Sequence, residues 1–271
     1  MLVLALDTST PSVTAGVVRL REPHEIIAAL AVAETTRSQS PDTNQAAAPR
    51  VESSLPGSAL QAVELLAERS VSNPFAHAER LMPLAVAALA AAGVELQELQ
   101  AVVIGVGPGP FTGLRVGIAT AAALGDGLDI PVHGAPSHDG VARALAPLPG
   151  DLLVVTDARR REVYLSGYRS TGRRAFGPLV IAPAAVPELM VQNDFTAAFL
   201  TGAGATLLEA ERSAGFDPAP LDGSAASISA GLAERAAQAL LTGAIPGPLS
   251  PLYLRRPDAT EPGARKSVLG R

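Results

Sequence analysis

The run Gly105-Val-Gly-Pro-Gly-Pro-Phe-Thr-Gly-Leu-Arg-Val-Gly117 carries the strongest chemical signal of this 271-residue chain. It follows an apolar strand signal, Ala101–Ile104, and leads into a helical pattern starting near Thr112, its expected N-cap, and running through Leu124. A glycine loop feeding a helix N-terminus is a ready anion site, because unpaired N–H groups and the helix dipole point into it. Gly107 and Gly109 would let backbone approach a phosphate, and Pro108 and Pro110 hold the loop stiff. The same spacing would equally let the loop pack against a neighbouring segment. A second candidate piece of a phosphate site is Asp7-Thr8-Ser9-Thr10, at the end of an apolar run from Leu2.

The residue types around these two pieces argue against catalysis. A phosphate-wrapping turn draws its N–H groups from glycines, whereas Asp7-Thr-Ser-Thr-Pro11 has none and Pro11 removes a donor. A matching turn later in the chain, Asp157-Ala-Arg-Arg-Arg161, also lacks glycine. Asp7 and Asp157 are therefore expected to bond their own turns. On this reading Asp7, Thr8, Ser9, Thr10, Gly107 and Gly109 form a vestigial nucleotide cleft, with no cofactor and room at most for weak nucleotide binding. The chain has no cysteine, so metal ligands would be His, Asp and Glu. His77 and Glu79 lie two residues apart, on different sides of a helix, and His24, His133 and His138 show no ligand spacing. No metal site is expected. A Gly-x-Ser-x-Gly elbow is also absent, and no catalytic residue is assigned.

Hydropathy predicts the elements that position these residues. Leu2–Asp7, Val13–Leu20 and Ile26–Ala33 read as three strands of a meander. Residues 34–73 change character: Ser, Thr, Pro, Gln and Asn dominate, and the stretch reads as a partly disordered insertion with one amphipathic piece at Leu60–Glu68. A helix over Phe75–Ala92 ends at Gly93. The strand–loop–helix follows, then a strand at Ile130–Gly134 and a helix near His138–Ala146. Pro147-Leu-Pro-Gly150 is a linker signal. Beyond it Val154-Val-Thr-Asp157 echoes Leu4-Ala-Leu-Asp7, and Val163 and Val13 follow at the same offset. Gly202-Ala-Gly204 and a helix over Ser227–Leu241 complete a second half.

Two βββαβα halves of this kind describe a duplicated, two-lobed α/β fold of the actin-like ATPase class. Residues 1–105, with insertion 34–73, form most of the first lobe, which continues to about residue 147. The second lobe spans 151–245, and the C-terminal segment packs back on the first. The net charge of −5 argues against a protein that coats nucleic acid non-specifically. Neither a signal peptide nor a membrane span is read, so a soluble cytoplasmic protein is expected.

Leu6-Asp-Thr-Ser-Thr10, the run Gly107–Arg115, His77 and Tyr253-Leu-Arg255 together resemble the bacterial TsaB (YeaZ) family of tRNA threonylcarbamoyladenosine biosynthesis subunits. The resemblance covers nearly the whole chain apart from residues 34–73. It implies a non-catalytic subunit that binds and activates its paralogue TsaD as a heterodimer, with TsaE in a larger complex. That complex transfers a threonylcarbamoyl group to the tRNA adenosine beside the anticodon, and this chain would meet tRNA only through it. The paralogue carries His-x-x-x-His on the helix that here reads His77-Ala-Glu-Arg-Leu81. Two other classes fit the residues: a stand-alone ATP-dependent kinase or hydrolase of the actin-like class, and a homodimeric scaffold.

The residues also call for a partner independently. From Leu81 to Val94 there is no charge, so the helix is apolar nearly all round and needs cover on a second face. The next helix is uncharged and rich in small residues. The expected interface comprises His77, Leu81, Leu84, Ala85, Ala88, Leu89, Val116, Ile118, Ala121 and Ala122, for TsaD or for self-pairing in its absence. Arg115 sits in a first helical turn, where the dipole disfavours a cation, and is expected to have a carboxylate or carbonyl partner. Arg159–Arg161, Arg173-Arg174, Arg255-Arg256 and Arg265-Lys266 read as solvated surface.

Overall fold

The computed structural model of this chain describes residues 1–22, 24–25, 62–72, 77–212, 217–222 and 226–255. β1 (Leu2–Asp7), β2 (Ser12–Leu20) and β3 (Val63–Ser72) form an antiparallel meander. β4 (Ala101–Gly105) and β5 (Val132–Ala135) extend it in parallel on the other side of β1, in the order β3-β2-β1-β4-β5. Parallel neighbours need crossovers, and α1 (His77–Ala92) and α2 (Phe111–Leu128) supply them. β4 is buried at every residue, which is why it reads as one apolar run rather than an alternating one.

The second sheet repeats this plan. β6 (Asp151–Asp157), β7 (Val163–Tyr168) and β8 (Arg174–Ile181) form the meander, and β9 (Ala197–Thr201) and β10 (Ala219–Pro220) run parallel to β6. Its order, β10-β9-β6-β7-β8, is that of the first sheet. Asp7 and Asp157 end equivalent strands. Asp7 pairs with Thr14 and Asp157 with Val163, so the first turn is one residue longer than the second. This is the two-lobed, duplicated α/β fold of the actin-like class.

Several sequence expectations change. The third strand is Val63–Ser72, inside the stretch assigned to an insertion. Its Glu64, Glu68 and Arg69 suit an edge strand but give the segment a helix-like amphipathic pattern. The strand expected at Ile26–Ala33 lies outside the described residues, as does most of 34–61. Helix α2 begins at Phe111, after the rigid Pro110 (φ −59°), and Thr112 caps nothing. Helix α3 (Ser137–Leu145) follows β5, and the second lobe holds α4 (Val186–Gln192) and α5 (Glu209–Arg212) but does not keep all of 151–245. Helix α6 (Ile228–Leu241), capped by Ser227, places Leu232, Ala233, Ala236 and Leu240 on the first sheet against Val3, Val18 and Val103. Reciprocally, Ala142 of α3 (Ser137–Leu145) packs on Leu152, Val154 and Tyr168 of the second sheet. The segment after α6 meets the first lobe: Leu252 donates its N–H to the Val106 carbonyl at 2.8 Å.

The first turn of α3 ties the lobes together. Ser137 Oγ donates to Asp7 Oδ2 at 2.5 Å. His138 reaches the other lobe, with Nδ1 2.9 Å from Ser166 Oγ and Nε2 3.0 Å from Thr156 Oγ1. Asp139 accepts from the Tyr168 hydroxyl at 2.8 Å and from Arg235 Nε at 3.0 Å, with Arg174 at 3.4 Å. Complete burial, with Arg174 nearby, lowers the His138 pKa from 6.5 to about 3, so the folded ring stays neutral. In acid the unfolded chain then binds a proton that the folded chain does not. The penalty is absent above pH 6.5, grows as pH falls and stops growing below about 3. At pH 5 it should amount to about 2 kcal/mol. Urea titrations of the wild type and His138→Gln at pH 7 and pH 5 should show this increment of acid sensitivity only in the wild type.

Candidate functional site

The structure brings together the six expected cleft residues and uses most of their bonding capacity internally. Asp7 Oδ1 accepts from Ser9 N–H at 2.9 Å and from Ser9 Oγ at 2.7 Å, while Oδ2 is held by Ser137. Thr8 Oγ1 donates to the Gly113 carbonyl at 2.8 Å. A Cβ at Gly105 would overlap Asp7 Oδ2, and one at Gly109 would overlap the Ser9 carbonyl. The glycine loop therefore packs directly against the turn after β1. In the second lobe the Arg159 N–H donates to Asp157 Oδ1 at 2.6 Å, so both aspartates bond their own turns. The cleft left between the turns, lined by Ser9, Thr10, Thr156 and Asp157 among others, measures about 130 Å³. Small-molecule pockets start near ~300 Å³.

A larger cavity of about 470 Å³ lies alongside, between the start of α2, the turn after Asp157 and the tail. Phe111 and Tyr253 stack in its wall, with centroids 4.8 Å apart and planes at 23°. The Arg115 guanidinium lies 3.7 Å from the Phe111 centroid, and its Nε donates to the Tyr253 hydroxyl at 3.0 Å. Its partner is thus an aromatic face and a phenol, not the expected carboxylate or carbonyl. The ring's negative face offsets the repulsion of a cation at a helix N-terminus. Arg159, Arg160 and Arg161 all adopt left-handed backbone, at φ 65°, 55° and 60°, at a cost of roughly 1–2 kcal/mol each. The turn is held by Arg159 N–H on Asp157 and by Ala158 N–H on the Glu162 carbonyl at 3.0 Å. Arg255 ion-pairs with Glu162 and donates to the Arg159 carbonyl at 3.4 Å. Tyr164 lines the same cavity, and burial, with Asp157 close by, raises its pKa, so it keeps its proton.

Arg159, Arg160 and Arg161 are exposed, as a solvated surface requires, and the groove beside Arg159 and Arg255 has no local sequence signal because its walls come from segments about 96 residues apart. The signal available was the Tyr253-Leu-Arg255 tail motif, whose aromatic ring needed a partner.

The expected interface is reassigned in part. Leu81, Ala85, Ala88, Leu89 and Ala121 are buried in the core beneath the first sheet, so they face this chain and not a partner. Leu84, Val116, Ile118 and Ala122 are half-buried. The His77 side chain lies outside the described residues. The outward face of α1 is instead Pro83, Val86, Ala87, Ala90 and Ala91, with Val86 58% exposed. The large residues of an all-apolar helix take the sheet-facing stripe, leaving the small ones outward. Next to α1, α2 presents Ala119 and Ala123. Among the described residues no three His, Asp or Glu side chains converge on a metal position, and no helix is long and apolar enough to cross a membrane.

Comparison with known proteins places this geometry in a family. Residues 72–238 match the family described as TsaD, tRNA N6-adenosine threonylcarbamoyltransferase. An uncharacterized protein of Mycobacterium tuberculosis is 38% identical over 257 residues, 95% of this chain and 93% of that one. The tRNA threonylcarbamoyladenosine biosynthesis protein TsaB of Haemophilus influenzae is 37% identical over 92 residues, 33% of this chain and 39% of its own. The structure of YeaZ from Pseudomonas aeruginosa shares the fold, with a TM-score of 0.57 at 24% identity over 91% of this chain and all of that one. The chain belongs to the family described as tRNA N6-adenosine threonylcarbamoyltransferase and is a TsaB/YeaZ-like member of it.

Proposed function

We propose that this chain is a non-catalytic subunit in tRNA threonylcarbamoyladenosine biosynthesis, docking onto a TsaD-type transferase through the outer faces of α1 and α2. The observation that carries the reading is the exposed, uncharged row Pro83, Val86, Ala87, Ala90 and Ala91 on a helix whose large residues are already spent in the core, beside Ala119 and Ala123 exposed on α2. Support for a non-catalytic role comes from Asp7, whose carboxylate is bonded by Ser9 and Ser137, and from the ~130 Å³ cleft above it. The same apolar face is suited to self-pairing when no partner is present.

Val86→Glu tests the surface. The position is 58% exposed, so stability should change by less than about 0.5 kcal/mol. A charge at the centre of an apolar contact should weaken binding to the TsaD-type partner about 30-fold, near 2 kcal/mol. Gel filtration and calorimetric titration against that partner read the effect. Undiminished affinity in a folded variant rejects the surface. ATP turnover by the purified chain that disappears in Asp7→Ala rejects the non-catalytic role.

A further inference from the structure

We infer that the groove between the lobes binds a nucleotide of a single-stranded RNA loop, its base stacked on Tyr253 and its phosphates held by the surrounding arginines. The inference rests on the reading above only for the choice of RNA; the groove chemistry stands by itself. Tyr253 lays its ring on Phe111 yet is 43% exposed, and Phe111 is 46% exposed. Exposed aromatic faces over a basic groove are the pattern by which proteins hold unpaired bases. Arg159 and Arg255 line the groove, paired with Asp157 and Glu162; exposed Arg160 and Arg161 follow in the same turn, and Arg115 stacks on Phe111. A chain with a net charge of −5 has here a local basic patch that its average conceals.

The form of the groove favours RNA over a free nucleotide. A di- or triphosphate tail is gripped by converging backbone N–H groups, and the loop that could supply them lies against Asp7 and Ser9 at Gly105 and Gly109. The arginines instead come from three separate segments, α2, the turn after β6 and the tail, an arrangement that follows an extended phosphate backbone. The cavity of about 470 Å³ accommodates a base with its sugar. The three consecutive left-handed arginines give this turn a backbone conformation adopted only at a cost.

The test is fluorescence anisotropy of the full-length chain with a labelled hairpin RNA of anticodon-stem form, at two salt concentrations, with ADP and an acidic peptide as competitors. The expected result is hairpin binding that Tyr253→Ala weakens about 10-fold or more. Arg159→Ala/Arg161→Ala should lower the salt slope by about 1 to 2. Neither competitor should displace the hairpin. Absence of hairpin binding, equal binding by both variants, or displacement by ADP or by the peptide overturns the inference. Docking to the TsaD-type partner, measured on the same variants by gel filtration, separates the two readings. Retained docking without RNA binding refutes this one alone, and RNA binding without docking refutes the other alone.

Discussion

Gly109→Ala should lower the unfolding free energy by about 3 kcal/mol, at the upper end of what an overpacked site costs. The added methyl would overlap the Ser9 carbonyl oxygen and crowd the carbonyl carbon and Cα of Ser9. These are backbone atoms, so no side-chain rotation relieves the clash. Ser9 cannot retreat either, because its N–H and its hydroxyl are both bound to Asp7, and Asp7 is bound to Ser137 at the junction of the lobes. The strain therefore spreads to the interlobe contact. For a chain of this size the thermal midpoint should fall by roughly 6–12 °C. Differential scanning calorimetry of wild type and variant measures it. A shift below about 2 °C would mean that the loop does not pack on the turn and would reopen the phosphate-cradle reading. Gly127→Ala is the control: nothing lies within 4 Å of a Cβ there, and on a helix alanine is the better residue.

Asp139→Ala should cost a similar amount, about 3 kcal/mol, for a different reason. Asp139 is 5% exposed and Tyr168 1%. Removing one member of a buried charged cluster leaves the others desolvated without compensation, and measured costs run about 3–5 kcal/mol. The lower end applies because the Arg174 and Arg235 side chains are 32% and 47% exposed and can turn to water. Tyr168 cannot. Burial first, and then Asp139 itself, raise its pKa well above the ordinary tyrosine value, so the hydroxyl remains a donor and loses its carboxylate acceptor. Asp139→Asn keeps an acceptor oxygen for Tyr168 and gives up the charge, so it should lose about half as much. Urea unfolding at pH 7 ranks the three proteins. Equal stability of Asp139→Ala and wild type would show that the cluster does not hold the lobes.

The parts legible in the sequence were those governed by local pattern. The buried strands β1, β4 and β6 showed as apolar runs because both of their faces are covered. The duplication showed because each central strand ends in an aspartate that closes its own turn. Helix α1 stopped at Gly93, as expected of a residue at φ 64°. Strand β3 was misread because its charged residues, Glu64, Glu68 and Arg69, interrupt the alternation of a strand and match a surface helix, while Glu64 and Glu68 find their partners at the end of β2 and at the start of α6. The stripe of α1 was misassigned because an all-apolar helix gives no polar face from which to infer direction.

By itself, then, the sequence determined the class of fold, the two turns and the presence of an apolar helix in need of cover, all consequences of residue type within a few positions. Tertiary structure decided what each was for. The glycine loop packs on the turn after β1 because segments nearly 100 residues apart meet there. Helices α3 and α6 each cover the other lobe's sheet, so the lobes are one packed unit and not two. Arg159 and Tyr253 share a groove only because the segment around Leu252 lies on the first lobe. Those contacts depend on burial and shape between distant segments, which no short-range pattern encodes.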